Sequence, residues 1–271
     1  CKEGRAMKRG FFCTIGPASF NEKVIRRLDE LGADLFRINL SHTKLEDLEG
    51  WIDLIRRYSQ VPICLDTEGA QIRTGFLSSE KRTIKENDRI FINSGAEKSE
   101  SNSLSLYPAP VLNELAEGDI LSIDFDAAVI QIVEIGNGQI KARVISSGGV
   151  GNNKAVTSLR PIHLPALTEK DREAIQIGKR LGIGHYALSF ANYGKDVEMF
   201  RELVPKGAQI ISKIESRSGY KHLEEILAAT DMVLIDRGDL SREIPIEMIP
   251  FYQKKIIEKA NKSGKPVYVA T

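Results

Sequence analysis

The stretch AQIISKIESRSGYKHLEEILAATDMVLID, residues 208–236, reads as one complete strand–helix–strand unit. The apolar run AQIISKI and the later run DMVLID lack polar alternation, which suits strands covered on both faces. Between them GYKHLEEILAAT carries apolar residues at helical spacing. Two such strands joined by a crossover helix lie parallel in one sheet.

The same unit recurs in both directions. Upstream lie helix TEKDREAIQIGKRLG, strand GHYALSF and helix GKDVEMFRELV; downstream lie helix IEMIPFYQKKIIEKANKSG and strand PVYVAT. The N-terminal part adds strand GFFCTIG, helix SFNEKVIRRLDELG between a Ser or Asn cap and a closing Gly, strand ADLFRINLSH, helix KLEDLEGWIDLIRRYS and strand VPICLDT. Repeated βα units predict a closed (β/α)8 TIM-type barrel, with a doubly wound open sheet as the alternative. Seven strands are present by Thr271, so an eighth is needed for closure and the chain is expected to be a segment of a longer protein.

Residues 75–165 break the rhythm. RIFINS, DILSIDF, AAVIQIVEI and QIKARVIS are short and rich in β-branched residues, and EIGNGQI places Asn-Gly between two of them, a strong hairpin signal. A small β domain is therefore expected at 75–165, inserted as a lid into a barrel made of 1–74 and 166–271. Loops after barrel strands line the active-site face, which gives the insertion its expected role. The glycine-rich GGVGNN is read as a hinge before a phosphate cradle.

Composition narrows the function. Among 271 residues, 42% are apolar, enough for a sizeable core, and the net charge is only +1 with both signs interspersed. That balance argues against a broad electrostatic grip on nucleic acid or an anionic membrane and leaves small anionic ligands at a local site. Cys13 and Cys64 sit in apolar runs as small core residues, without metal spacing, so a reduced, cytoplasmic protein is expected. His163, His185 and His222 have no partner spacing and are read as packing or surface residues, as are Trp51 and Tyr58.

The strand ends carry the chemistry. Lys213 and Glu215 are two apart on one strand and point to the same side. Arg37, Asn39 and Ser41 share a face in the same way, and Asp66–Thr67, DRGD at 236–239 and Ala270–Thr271 end three further strands. Unpaired burial of such groups would cost on the order of a few kcal/mol each. Their recurrence at the C-terminal ends of barrel strands predicts a site. Glu215 and Asp239 offer hard oxygens of the kind Mg²⁺ or Mn²⁺ takes, Lys213 and Arg37 offer cations for a phosphate or an enolate, and the RGD turn offers backbone N–H groups. Metal, cations and a lid together describe phosphoryl transfer.

At these residues the sequence resembles the pyruvate kinase family. TIGPAS, FRINLSH, LDTEGAQIRTG, LPALTEKD, ISKIES, DRGDLSREIP and GKPVYVAT match its signature segments in order. The resemblance implies transfer of phosphate between phosphoenolpyruvate and ADP, with Lys213 as catalytic cation and Arg37 on the substrate phosphate. It implies a divalent metal on Glu215 and Asp239. A monovalent cation, usually K⁺, falls on Asn39, Ser41, Asp66 and Thr67. Gly238, Asp239 and Thr271 would hold the substrate carboxylate, with Thr271 also serving enolate protonation. Thr14, Pro17, His42 and Arg73 match nucleotide-side positions, with Lys154 as a lid lysine. A homo-oligomer is left open.

The chain also departs from the family. Glu68, Ala70 and Gln71 replace Lys, Pro and Glu of DTKGPEIR, and the carboxylate lost at Gln71 is tied to K⁺ dependence. Thr43, Asn192 and Ser241 replace Gly, Arg and Gly, and KAVTSLRP replaces the KGVNLPG pattern. Asp236 stands where the family has Ala and adds a carboxylate beside an anion-binding turn, unless it faces outward or pairs with Arg237, Arg242 or another cation. Two other readings therefore stand beside the kinase: a Mg²⁺-dependent enzyme stabilising the enolate of another 2-oxo acid, and a non-catalytic regulatory homologue.

Overall fold

A computed structural model of the chain describes residues 10–69, 71–77, 81–95 and 102–270. They form two compact units, one running to Gly69 and resuming at Ala166, the other lying between, up to Pro165.

In the first unit seven parallel strands lie side by side in chain order: β1 (Phe12–Ile15), β2 (Leu35–Asn39) and β3 (Ile63–Asp66), then, numbered after the nine strands of the second unit, β13 (His185–Leu188), β14 (Gln209–Ile214), β15 (Met232–Ile235) and β16 (Val267–Val269). A doubly wound sheet reverses its strand order at a switch point. This one never reverses, as a TIM-type barrel requires. The curl shows in the packing: Phe12 on β1 and Tyr268 on β16 bring their ring centroids to 5.2 Å, although no ladder joins those strands among the described residues. Inside the curl Leu35, Cys64, Ala187, Ile211 and Leu234 form an apolar layer with these rings. Their strand neighbours of opposite parity, including Phe36, Ile38, Leu65, Tyr186, Ile210 and Val233, pack outward beneath the helices. Cys13 and Cys64 are free thiols, and burial pushes the Cys64 thiol well up, as befits a core residue.

Local chemistry sets the helix ends. Of the two candidate caps, Asn21 caps Glu22–Glu30 by accepting from Val24 N at 3.1 Å, and Gly32 follows in the left-handed region at φ 84°. Thr168 and Asp171 form a reciprocal capping box on Glu169–Arg180. The helix expected over GYKHLEEILAAT differs. It starts earlier, capped by Ser216, and breaks at His222 into Arg217–Lys221 and Leu223–Ala229. Close contact sets the first piece's placement, because a Cβ at Gly219 would come within 2.7 Å of Ala191 O. No helix among the described residues is long and apolar enough to cross a membrane.

The second unit is richer in strands than expected. Its elements are β4 (Ile72–Thr74), β5 (Lys81–Ile84), β6 (Arg89–Ser94), β7 (Ser103–Tyr107), β8 (Ile120–Ile123), β9 (Ala128–Gly136), β10 (Gln139–Ser146), β11 (Gly148–Gly151) and β12 (Ala155–Ser158). Seven close into a barrel, β10-β6-β7-β4-β12-β8-β9, and β11 pairs with β5. The hairpin at EIGNGQI forms, with Asn137 and Gly138 both at positive φ. Because β4 belongs to this barrel, the division falls after Gly69 rather than after residue 74. GGVG is a strand rather than a hinge, and its glycine has a packing reason: a Cβ at Gly148 would run into the carbonyl of Ala127.

Candidate active site

The inward parity that builds the apolar layer continues toward the C-terminal ends of the strands, where polar groups replace the hydrocarbons. Asp66 is the hub. Its Oδ2 accepts from Arg37 Nε at 2.6 Å and from Lys213 Nζ at 3.2 Å, and its Oδ1 accepts from Ser189 Oγ at 3.2 Å. Arg37 Nη1 also reaches Thr14 Oγ1 at 3.3 Å. Lys213 Nζ donates to Ser189 Oγ at 3.0 Å and lies 2.9 Å from Glu215 Oε1. The paired charges of β14 therefore do share one side, and both are buried, with side chains 5% and 0% exposed.

The titration behaviour follows from this packing. Burial disfavours the Lys213 ammonium, but Asp66 and Glu215 outweigh it and raise its pKa above the ordinary lysine value. Burial pushes Glu215 up to about 8; Lys213 opposes this, while Asp239, Asp236 and Asp66 add to it. Both members shift upward for different reasons: neighbouring carboxylates hold the ammonium of Lys213, whereas burial first, and the carboxylates after it, disfavour the anion of Glu215. For Arg37, burial again works against the charge, and Asp66 more than compensates.

Glu215, Asp236 and Asp239 each bring a carboxylate oxygen within 4.8 Å of the others. Oxygens sharing one small octahedral cation lie about 3–4 Å apart, so modest side-chain adjustment brings these three onto an ion such as Mg²⁺. The environment fits as well. Glu215 Oε2 accepts from Phe190 N at 2.7 Å, but buried Oε1, despite its ionic contact with Lys213, accepts no hydrogen bond among the described residues. Asp239 also pairs with Arg242 at 2.5 Å.

Asp236 faces the carboxylates rather than outward; Arg242 pairs with Asp239, Arg237 Nε donates to Ala270 O at 2.8 Å, and the other cation that feels the Asp236 charge is Arg37. It also caps the turn Arg237–Leu240, accepting from Asp239 N at 3.3 Å. The expected anion-binding turn containing Gly238 is thus present, but the chain's own carboxylate occupies one of its N–H groups. Thr271 lies outside the described residues.

The remaining predicted residues fall into separate groups. The β2–β3 register sets Asn39 beside Asp66; Asn39 Oδ1 accepts from Ser41 N at 3.0 Å, and buried Thr67 takes Ser189 N at 2.9 Å through Oγ1. Asp66 is already compensated by two cations before any monovalent ion enters. Pro17 and His42 are exposed. In the second unit Arg73 Nη2 donates to Gln71 Oε1 at 2.9 Å and Nη1 to Asn153 O at 3.0 Å, while Lys154 pairs with Asp124 at 2.9 Å. Glu68 pairs with Lys170 at 3.3 Å, and Asn192 accepts from Ser216 Oγ.

Three residues escaped sequence reasoning. Ser189 bridges Lys213 and Asp66, and its inward parity after β13 is the signal that would have found it. Phe190 takes a left-handed φ of 50° to aim its N–H at Glu215, a conformation no sequence pattern announces. Asp171, fully buried, accepts from Glu68 N at 2.7 Å and Gly69 N at 3.1 Å while capping its own helix at Thr168 N, 3.0 Å away. It fastens the loop after β3.

Comparison with known proteins agrees with this architecture. The family described as pyruvate kinase, barrel domain, matches residues 6–271. The chain is 34% identical over 276 residues to a pyruvate kinase of Sporosarcina psychrophila and 33% identical to one of Staphylococcus aureus strain MRSA252. Both alignments cover 97% of this chain and 47% of the relative, so the chain spans about half the length of the curated relatives it matches. Two crystal structures of Cryptosporidium parvum pyruvate kinase superpose with TM-scores of 0.86 and 0.82 at 30% and 31% identity; they cover 97% of this chain and 58% and 57% of those chains. The chain belongs to the pyruvate kinase family.

Proposed function

We propose that the protein carrying this chain transfers a phosphoryl group between phosphoenolpyruvate and ADP, giving pyruvate and ATP. The observation that carries this reading is the placement of Lys213 Nζ, held by Asp66, Ser189 and Glu215 beside three convergent carboxylates. A fixed ammonium there neutralises charge as it develops on the transferring group and on the enolate left behind. Arg37, oriented by Asp66 and Thr14, binds the phosphate of phosphoenolpyruvate. Gly238, Asp239 and Thr271 hold the substrate carboxylate, and Thr271 serves enolate protonation.

Mg²⁺ or Mn²⁺, held by Glu215 and Asp239, supplies positive charge to the phosphoryl and enolate oxygens when bound. Asn39, Ser41, Asp66 and Thr67 are the proposed monovalent-cation set. ADP is assigned to Thr14, Pro17 and His42 with Arg73 and Lys154. Asp236 favours a second reading, in which the same charges stabilise the enolate of another 2-oxo acid, since an extra carboxylate among the ligands repels an anionic substrate.

The test is ³¹P NMR of phosphoenolpyruvate, ADP and Mg²⁺, with and without K⁺, using Lys213→Met as control. Growth of ATP signals that the control lacks supports the kinase reading. Unchanged phosphoenolpyruvate in the presence of folded full-length protein overturns it in favour of the second.

A further inference from the structure

We infer that Asp236 is a third oxygen ligand of the divalent-metal site, giving this chain a metal affinity that does not wait for substrate. The inference rests on the metal assignment made under the kinase reading and extends it to a residue that the assignment omits. Glu215 and Asp239 alone would leave most of a hard cation's shell to waters and substrate oxygens. Asp236 changes that count. Its carboxylate lies within 4.8 Å of both others, on the first position past β15 and directly beside the strand that carries Glu215.

Two further observations point to a ligand rather than to a surface acid. Glu215 Oε1 is buried and accepts no hydrogen bond among the described residues, so an oxygen aimed into the cluster has only the ionic contact with Lys213 to offset its desolvation. Asp236 spends Oδ1 on the Asp239 N–H, a bond that fixes its rotamer, and Oδ2 takes no hydrogen bond among the described residues. Three carboxylates held this close repel one another, and the chain's own cations approach them from the side: Lys213 meets Glu215, Arg242 pairs with Asp239, and Arg37 attracts Asp236 without an ion pair between them among the described residues. The cap thus orients the ligand: one oxygen locks the side chain, and the other is left for the ion.

The experiment is a Mn²⁺ titration of the chain without substrate, read as loss of the free-ion electron paramagnetic resonance signal, for wild type, Asp236→Asn, Asp236→Ala and Glu215→Gln. Asn is as good a helix cap as Asp, so Asp236→Asn keeps the turn while removing the charge. Loss of an outer-shell partner alone weakens metal binding about 10- to 100-fold, so loss of a direct ligand should raise the Mn²⁺ Kd at least about tenfold in both Asp236 variants. A Kd within twofold of wild type in Asp236→Asn, with Glu215→Gln impaired, overturns the inference and leaves the metal assignment standing. Absence of Mn²⁺ binding by wild type overturns both.

Discussion

Lys213 and Asp66 meet at 3.2 Å on the same carboxylate oxygen that accepts the Arg37 Nε at 2.6 Å, so one buried anion compensates two cations from different strands. Removing it leaves Arg37 without its anion and Lys213 with Glu215 alone. Asp66→Asn should destabilise the fold by about 3–5 kcal/mol, the usual result of breaking a buried pair from one side. The urea midpoint at constant m-value measures this. In the double variant Asp66→Asn/Lys213→Met the two losses should fall short of additivity by at least about 1 kcal/mol; strict additivity would refute the shared-anion arrangement.

Asp171 makes a prediction about positioning. Asp171→Ala strips the half-buried N–H of Glu68 and the buried N–H of Gly69 of their acceptor, a loss of roughly 2–4 kcal/mol in urea denaturation. Because those amides immediately follow Asp66 and Thr67, turnover should fall beyond what unfolding explains. Wild-type kcat at a temperature where the variant stays folded would show that the clamp is purely structural.

Asp236 should have opposite effects on its two ligands. At saturating metal, Asp236→Ala removes a negative charge next to the turn assigned to the substrate carboxylate and frees the Asp239 N–H. Phosphoenolpyruvate affinity should rise at least about fivefold, the size of a 1 kcal/mol repulsion relieved. Calorimetric titration giving equal or weaker affinity would mean that the carboxylate binds elsewhere.

His185, at the start of β13, gives a pH signature remote from the charged strand ends. Burial lowers its pKa below the ordinary histidine value, so the unfolded chain takes up its proton more readily than the folded one. Its contribution is intact above about pH 6.5 and is lost as pH falls through the lowered folded value. His185→Gln should flatten the stability–pH curve in that acid window. An unchanged slope would assign the acid loss to other groups.

Much of the first unit was legible because its signal repeats. LFRIN, ICLD and QIISKI place polar ends on buried strands, and parity alone puts Arg37, Asp66 and Lys213 on the inner face. The second unit was legible only in part. SLSLY hides two buried serines, KRTI and IRT are short and charged, and GGVG owes its strand to a close backbone approach that composition cannot display. At the site the ions were visible and their fixings were not. Ser189, Phe190 and Asp171 act through a hydroxyl, a left-handed N–H and a long-range cap, each defined by a partner far along the chain.

The ring contact between Phe12 and Tyr268 has a consequence for synthesis. The apolar layer around Leu35, Cys64 and Ile211 takes in rings from both β1 and β16, strands far apart in sequence. Loop closure over such a separation is entropically slow. A nascent chain lacking β16 would carry an open sheet with its inner hydrocarbons bared, so this unit should complete its fold only once β16 has left the ribosome, and it should need shielding until then.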